Sequence, residues 1–239
     1  MPEPRDRLIF ALDVPDKASA LTCVNALRNE VGLFKVGLEL FLAEGRGLLQ
    51  ELANTVGPDK IFLDLKLYDI PATVLGALKA VLPGLALVTL PCDLGFTGLK
   101  KIVEGTAFKV LAVTVLTSLT GKDMQALGFA PRLTQDPVKL VVHKARLAQK
   151  AGCRGVVCSG REVQAVKEAC GPDFLAVCPG IRPAWAAVSG DDQQRIVTPS
   201  EAIAHGADYI VVGRPIRQAP EPAAAARRVV KEIALAMQK

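Results

Sequence analysis

Short apolar runs rich in Val, Ile, Leu and Phe recur along the chain at 7–13, 33–37, 60–66, 85–91, 109–114, 155–158, 174–179 and 209–213. Runs this short and this apolar fit parallel strands covered on both faces. Longer stretches with helical spacing lie between them. The stretch 16–30 carries Ala20, Val24 and Leu27 on one helical face, and 40–55 runs to a stop at Gly57-Pro58. Proline opens 71–82 at a permitted first-turn position. Helices are also predicted over 99–105, 136–151, 161–170, 200–205 and 222–237, several of them ending at glycine. Eight strands alternating with about eight helices predict a (β/α)8 TIM barrel, with 1–239 as a single domain. A doubly wound open sheet is the alternative, because periodicity alone does not show closure.

Composition narrows the class. Half of the 239 residues are hydrophobic and 22% are charged, which excludes bulk disorder and permits a large core. The net charge of +5 is mild and its basic residues are scattered, so nucleic acid is not an expected partner. An anionic metabolite suits the small positive excess. No apolar run approaches the length of a membrane helix, and the polar start from Met1 to Arg7 is read as neither signal nor transit sequence. Six cysteines without a CxxC pair are expected to be reduced and mostly buried, in a cytoplasmic protein. Only His143 and His205 are present, so no His-based metal site is expected.

A barrel carries its chemistry at the C-terminal ends of its strands, so the polar residues that end each apolar run are the candidates. The first run ends in Asp13, the second contains Lys35, and the third reads Leu63-Asp64-Leu65-Lys66-Leu67-Tyr68-Asp69-Ile70-Pro71. Side chains alternate on a strand, so Asp64 and Lys66 share a face that points into the barrel if Leu63 and Leu65 face the helices. Charges at a barrel mouth must pair, and Asp13, Lys35, Asp64, Lys66 and Asp69 can form an alternating network. The eighth run ends in Gly213-Arg214, where a close backbone approach and a guanidinium suit a phosphate. The long polar stretch 182–193 reads as a lid or a connector.

The segments Phe10-Ala11-Leu12-Asp13, Phe34-Lys35-Val36-Gly37, Asp64-Leu65-Lys66-Leu67-Tyr68-Asp69-Ile70-Pro71, Leu116-Thr117-Ser118, Pro179-Gly180-Ile181-Arg182, Gly190-Asp191-Asp192-Gln193 and Val211-Val212-Gly213-Arg214-Pro215 occur in that order. Together they resemble the bacterial type of the orotidine 5′-phosphate decarboxylase family. The resemblance implies a homodimeric barrel, without metal or cofactor, that converts orotidine 5′-phosphate to UMP and CO2. It implies Lys66 as proton donor to pyrimidine C6, Asp64 beside the substrate carboxylate, and Asp69 and Thr73 reaching across the dimer interface. By the same resemblance Asp13 and Lys35 hold the ribose, Thr117 and Ser118 the pyrimidine, and Arg182, Gln193, Gly213 and Arg214 the phosphate. Pro91 and Tyr68 stand where many relatives carry histidine, and Cys178 stands where threonine is common. Three alternatives fit the residues less fully: a metal-dependent sugar-phosphate decarboxylase or epimerase on the same barrel, a Schiff-base aldolase, and a non-catalytic nucleotide-phosphate binder.

Overall fold

The structure is a computed structural model that describes residues 3–186 and 197–238. Eight parallel strands form its centre: β1 (Leu8–Ala11), β2 (Leu33–Gly37), β3 (Ile61–Asp64), β4 (Leu87–Pro91), β5 (Val110–Val113), β6 (Gly155–Val157), β7 (Leu175–Cys178) and β8 (Tyr209–Val212). Each bonds to the next, and β8 returns to β1 through the register Leu8↔Ile210, Ile9↔Val211 and Phe10↔Val212. That last pairing closes the sheet and decides for a barrel over an open sheet.

Around it lie α1 (Lys17–Leu27), α2 (Leu38–Val56), α3 (Pro71–Ala80), α4 (Gly95–Glu104), α5 (Gly121–Ala126), α6 (Pro131–Thr134), α7 (Pro137–Lys150), α8 (Val163–Cys170), α9 (Pro199–Ala204), α10 (Arg214–Arg217) and α11 (Pro222–Met237). Local chemistry sets several starts. The Asp16 side chain accepts from the Ser19 N–H at 2.8 Å ahead of α1, and Thr198 forms a capping box with Glu201 ahead of α9. Proline occupies the first turn of α3, α7, α9 and α11, where a missing N–H costs nothing. The pattern did not predict α5, α6 or α10; each is six residues or shorter, too brief for a helical period to register, and the equally short α9 was marked only by Thr198-Pro199 before it and Gly206 after it. The third strand also stops at Asp64, two residues before the end of its apolar run.

Strand alternation divides the interior in two. Ile9, Ala11, Leu33, Phe62, Leu87, Leu111, Val177 and Val211 point inward and pack together on the barrel axis. Their neighbours in sequence, such as Phe10, Phe34, Leu63, Val88 and Ala112, join the larger layer between sheet and helices. Among the described residues no helix is long and apolar enough to cross a membrane.

One polar strut crosses the outer layer. Lys144 of α7 donates to both carboxylate oxygens of Asp93 at 2.8 and 2.9 Å and to the Thr114 carbonyl at 2.9 Å. It thereby ties α7 to the ends of β4 and β5. Lys144→Ala should lower unfolding stability by about 2 kcal/mol, less than for a fully buried pair because Asp93 is partly exposed, while Asp93→Asn/Lys144→Met should recover part of that loss. Urea unfolding measures both.

All six cysteines are free thiols, with Cys92, Cys153, Cys158 and Cys178 buried and Cys23 and Cys170 half-buried. Burial pushes the Cys92 and Cys153 thiols up to about 12, so they stay protonated in neutral solution. In the native protein at pH 8, a maleimide should label Cys23 and Cys170 first and reach the other four only after denaturation; peptide mass mapping reads the order.

Candidate active site

Lys35 of β2 and Asp64 at the end of β3 carry the inward parity of the apolar layer one step further, to the C-terminal mouth. There the lysine Nζ stands 2.9 Å from Asp13 Oδ1 and 3.8 Å from Asp64 Oδ2. Lys66 Nζ donates to the other oxygen, Asp64 Oδ1, at 2.9 Å. The order is therefore anion, cation, anion, cation, from Asp13 through to Lys66. Asp64 and Lys35 are the deepest members, with side chains 14% and 12% exposed. Charges held this far from water keep their attraction, because little solvent screens them.

Asp64 and Lys66 meet for a different reason from strand alternation. The strand has already ended, and Lys66 lies beyond it with φ of +50°, the one non-glycine residue with positive φ among those described. A left-handed backbone disfavours a side chain that carries a Cβ. Thr89 of β4 holds it there: its Oγ1 accepts from the Lys66 N–H at 2.9 Å and donates to Asp64 Oδ1 at 3.0 Å. One hydroxyl thus fixes both the backbone of the lysine and the carboxylate that holds its ammonium. Sequence reading passed over Thr89. Its signal was a hydroxyl at an inward position of the otherwise apolar run Leu87-Val88-Thr89-Leu90-Pro91.

Gly37 closes the second strand motif for a spatial reason. A Cβ at that position would stand 2.9 Å from Lys35 Nζ, inside the space the ammonium needs.

Two cavities meet at this charged wall. The first, about 270 Å³, is lined by Lys35, Asp64 and Lys66, by Thr117 and Ser118, and by apolar side chains including Phe62, Val113, Val177 and Val211. The second, about 310 Å³, is lined by Asp13, Lys35, Asp64, Gly180, Arg182, Gly213, Arg214 and Arg217. Lys35, Asp64, Pro179 and Val211 belong to both, so a single elongated molecule can span them. The first offers an apolar slot with two hydroxyls; the second offers guanidinium groups around backbone. A Cβ at Gly213 would lie 3.3 Å from the Ala11 Cβ and 3.8 Å from Asp13 Oδ2, so the bare backbone keeps this pocket open.

A larger hollow, about 790 Å³, lies at the opposite end of the barrel, beside Arg7, Lys167, His205 and Asp208. Its lysine is already committed to Asp208 at 2.7 Å and to two carbonyls, so it offers less free chemistry.

Other candidates fall as follows. Asp69 is exposed, outside the ion-pair chain, and its Oδ1 accepts only from the neighbouring Ile70 N–H at 2.6 Å among the described residues. The five-membered network expected from sequence therefore has four members within this chain. Thr73 is exposed on α3. Arg182 and Arg214 both line the second cavity. Gln193 and the segment Gly190-Asp191-Asp192-Gln193 lie outside the described residues. Trp185, to which the pattern assigns no role, donates to Glu232 Oε1 at 2.6 Å under the Arg228 guanidinium, 4.5 Å from its ring. That anchors the chain just past Arg182 to α11. Arg217 was missed as well, although it stands three residues after Arg214, on the same side of a helical turn.

A closed parallel barrel with paired acids and bases at its mouth, beside an arginine-lined pocket, defines a (β/α)8-barrel enzyme for a small anionic substrate. Over residues 6–229 the chain matches the model of the Orotidine 5′-phosphate decarboxylase / HUMPS family. It is 48% identical over 233 residues to orotidine 5′-phosphate decarboxylase of Desulfosudis oleivorans, covering 96% of this chain and 94% of that one. To the protein of the same name from Anaeromyxobacter sp. strain K it is 50% identical, covering 95% and 98%. The crystal structure of orotidine 5′-phosphate decarboxylase from Lactobacillus acidophilus matches it with a TM-score of 0.78 at 33% identity, covering 95% of this chain and 98% of that one. The chain belongs to the orotidine 5′-phosphate decarboxylase / HUMPS family.

The left-handed backbone at residue 66 has a measurable consequence. Lys66→Gly and Lys66→Ala both remove the ammonium, but only alanine keeps the backbone strain. The glycine variant should be the more stable of the two by about 1 kcal/mol in urea unfolding.

Proposed function

We propose that this chain is a carboxy-lyase that converts orotidine 5′-phosphate to UMP and CO2, with Lys66 as the proton donor. The single observation that carries this reading is the Lys66 ammonium, held 2.9 Å from a deeply set carboxylate on the wall of the apolar slot. In the proposed reaction the bond from C6 to the carboxylate breaks, CO2 leaves, and the electron pair stays on C6. The pyrimidine ring barely delocalises that pair, so the stabilisation must come from outside the ring. A cation about 4 Å away at an effective dielectric near 20 contributes roughly 4 kcal/mol. If realised only in the transition state, that is about three powers of ten in rate. The new bond from C6 to hydrogen takes its proton from Lys66, which is left neutral and regains a proton from solvent. Because Asp64 and Thr89 already fix the ammonium and its backbone, little reorganisation is needed when charge develops.

In the same reading Thr117 and Ser118 contact the pyrimidine, and Asp13 and Lys35 hold the ribose hydroxyls. Arg182, Gln193, Gly213 and Arg214 hold the phosphate. The two adjoining cavities support this division, since the apolar slot suits a flat ring and the arginine-lined one suits a dianion. Phosphate binding far from C6 then supplies remote energy for organising the site.

The reading includes a homodimer with shared sites. Tyr68 and Ile70 flank Asp69 and are 67% and 66% exposed, and Leu116 and Leu127 are 45% and 66% exposed. Apolar side chains on both sides of an exposed acid favour burial against a second copy, whose site Asp69 and Thr73 would then reach. Six free thiols support a cytoplasmic setting. Both acids of the chain's own network are engaged by lysines, which weighs against the metal-dependent sugar-phosphate branch, where acids serve as ligands.

Loss of orotidine 5′-phosphate absorbance tests the reaction. Turnover should proceed undiminished in EDTA; EDTA-sensitive turnover, or none, would favour the sugar-phosphate branch. Lys66→Ala should lose at least about a thousandfold in turnover while still binding UMP by calorimetry. Lys66→Ala and Asp69→Ala chains, each inactive alone, should regain activity when mixed; a mixture that stays inactive removes the shared site.

A further inference from the structure

Arg217 stands outside the charge chain at the barrel mouth. It ends the short helix α10 and lines the second cavity together with Arg182 and Arg214. Its Nε is buried with no hydrogen-bond partner, and no ion pair reaches its side chain among the described residues. Arginine stays charged under all ordinary conditions, so it cannot relieve this by losing a proton. Buried donors without a partner are rare and ask for a reason. The other such group, Arg7 Nε, lies at the opposite end of the barrel, and its guanidinium is tied to the Ala207 carbonyl at 3.0 Å.

Among the described residues the surroundings of Arg217 supply no counter-charge. The acids on the cavity wall are Asp13 and Asp64, and both are held by lysines. Cys23 of α1 is near enough to feel the guanidinium's charge, but burial outweighs it and raises the thiol, which stays neutral. Among the described residues the cavity wall carries four cationic side chains, Lys35, Arg182, Arg214 and Arg217, and two acidic ones. A phosphate monoester carries nearly two negative charges at neutral pH and offers several acceptor oxygens.

We propose that Arg217 is a third phosphate-binding arginine of this site, gripping the substrate phosphate alongside Arg182 and Arg214. The proposal rests on the reading of the substrate as a nucleoside monophosphate. It adds a residue that the family motifs quoted above do not include.

The test compares orotidine 5′-phosphate with orotidine, which lacks the phosphate. In Arg217→Met, kcat/KM for the phosphorylated substrate should fall roughly ten- to hundredfold, the loss of one charge-assisted contact, while the slow turnover of orotidine is unchanged. Arg217→Lys should recover part of the loss. Equal losses on both substrates would make Arg217 a structural residue, and no loss on either would make it a bystander; either result overturns the proposal. Should Arg217→Met fail to fold, calorimetric titration of Arg217→Lys and Arg217→Gln with UMP decides, with binding equal to the parent as the overturning outcome. A parent enzyme without turnover of orotidine 5′-phosphate would instead sink the substrate reading. In that case protection against heat by inorganic phosphate, reduced in Arg217→Met, still separates the two failures.

Discussion

The carboxylate of Asp64 is the interaction on which the site depends. It sits deep at the end of β3, where an unpaired charge would be far too costly to keep. Lys35, Lys66 and Thr89 all reach it, from β2, from the turn after β3 and from β4. Three neighbouring segments of the barrel are therefore locked to one another through two oxygen atoms. Take the carboxylate away and two ammonium groups face each other without a mediator, and the left-handed turn at Lys66 loses half of what holds it.

This arrangement links backbone geometry to chemistry. A strained φ at a lysine has no structural merit of its own, since a right-handed or extended residue would continue the loop at lower cost. The strain is retained because it swings the side chain back over the barrel mouth, beside the strand residue that binds it. The barrel itself contributes rigidity. Its axis is filled by apolar side chains below the charged layer, so the polar groups rest on a packed floor and have few other places to go.

Support comes also from outside the barrel. Lys144 braces the end of β5, from which Thr117 and Ser118 follow, and Trp185 fixes the chain just beyond Arg182 against α11. Neither residue lines the first cavity's charged wall, yet each determines where a loop bearing site residues departs from the scaffold. Function on a barrel of this kind is carried by loops, and their precision derives from such outer contacts.

The apolar runs and helical spacing by themselves determined the alternating order of strands and helices, because both periodicities follow from local geometry that each segment carries alone. The residues ending those runs also marked Asp13, Lys35, Asp64, Lys66 and Arg214 as candidates, since a charge beside an apolar strand needs a special place. Closure was beyond the pattern: it is a contact between the first and last strands, about two hundred residues apart. So was the true reason that Asp64 meets Lys66, which is a positive φ held by a threonine from the next strand and not the alternation of a continuous one. Thr89 and Arg217 stayed silent for the same cause. A hydroxyl in an apolar run and a second arginine in a short helix acquire meaning only when folding places one beneath a carboxylate and the other on the wall of a pocket, its Nε without a partner among the described residues.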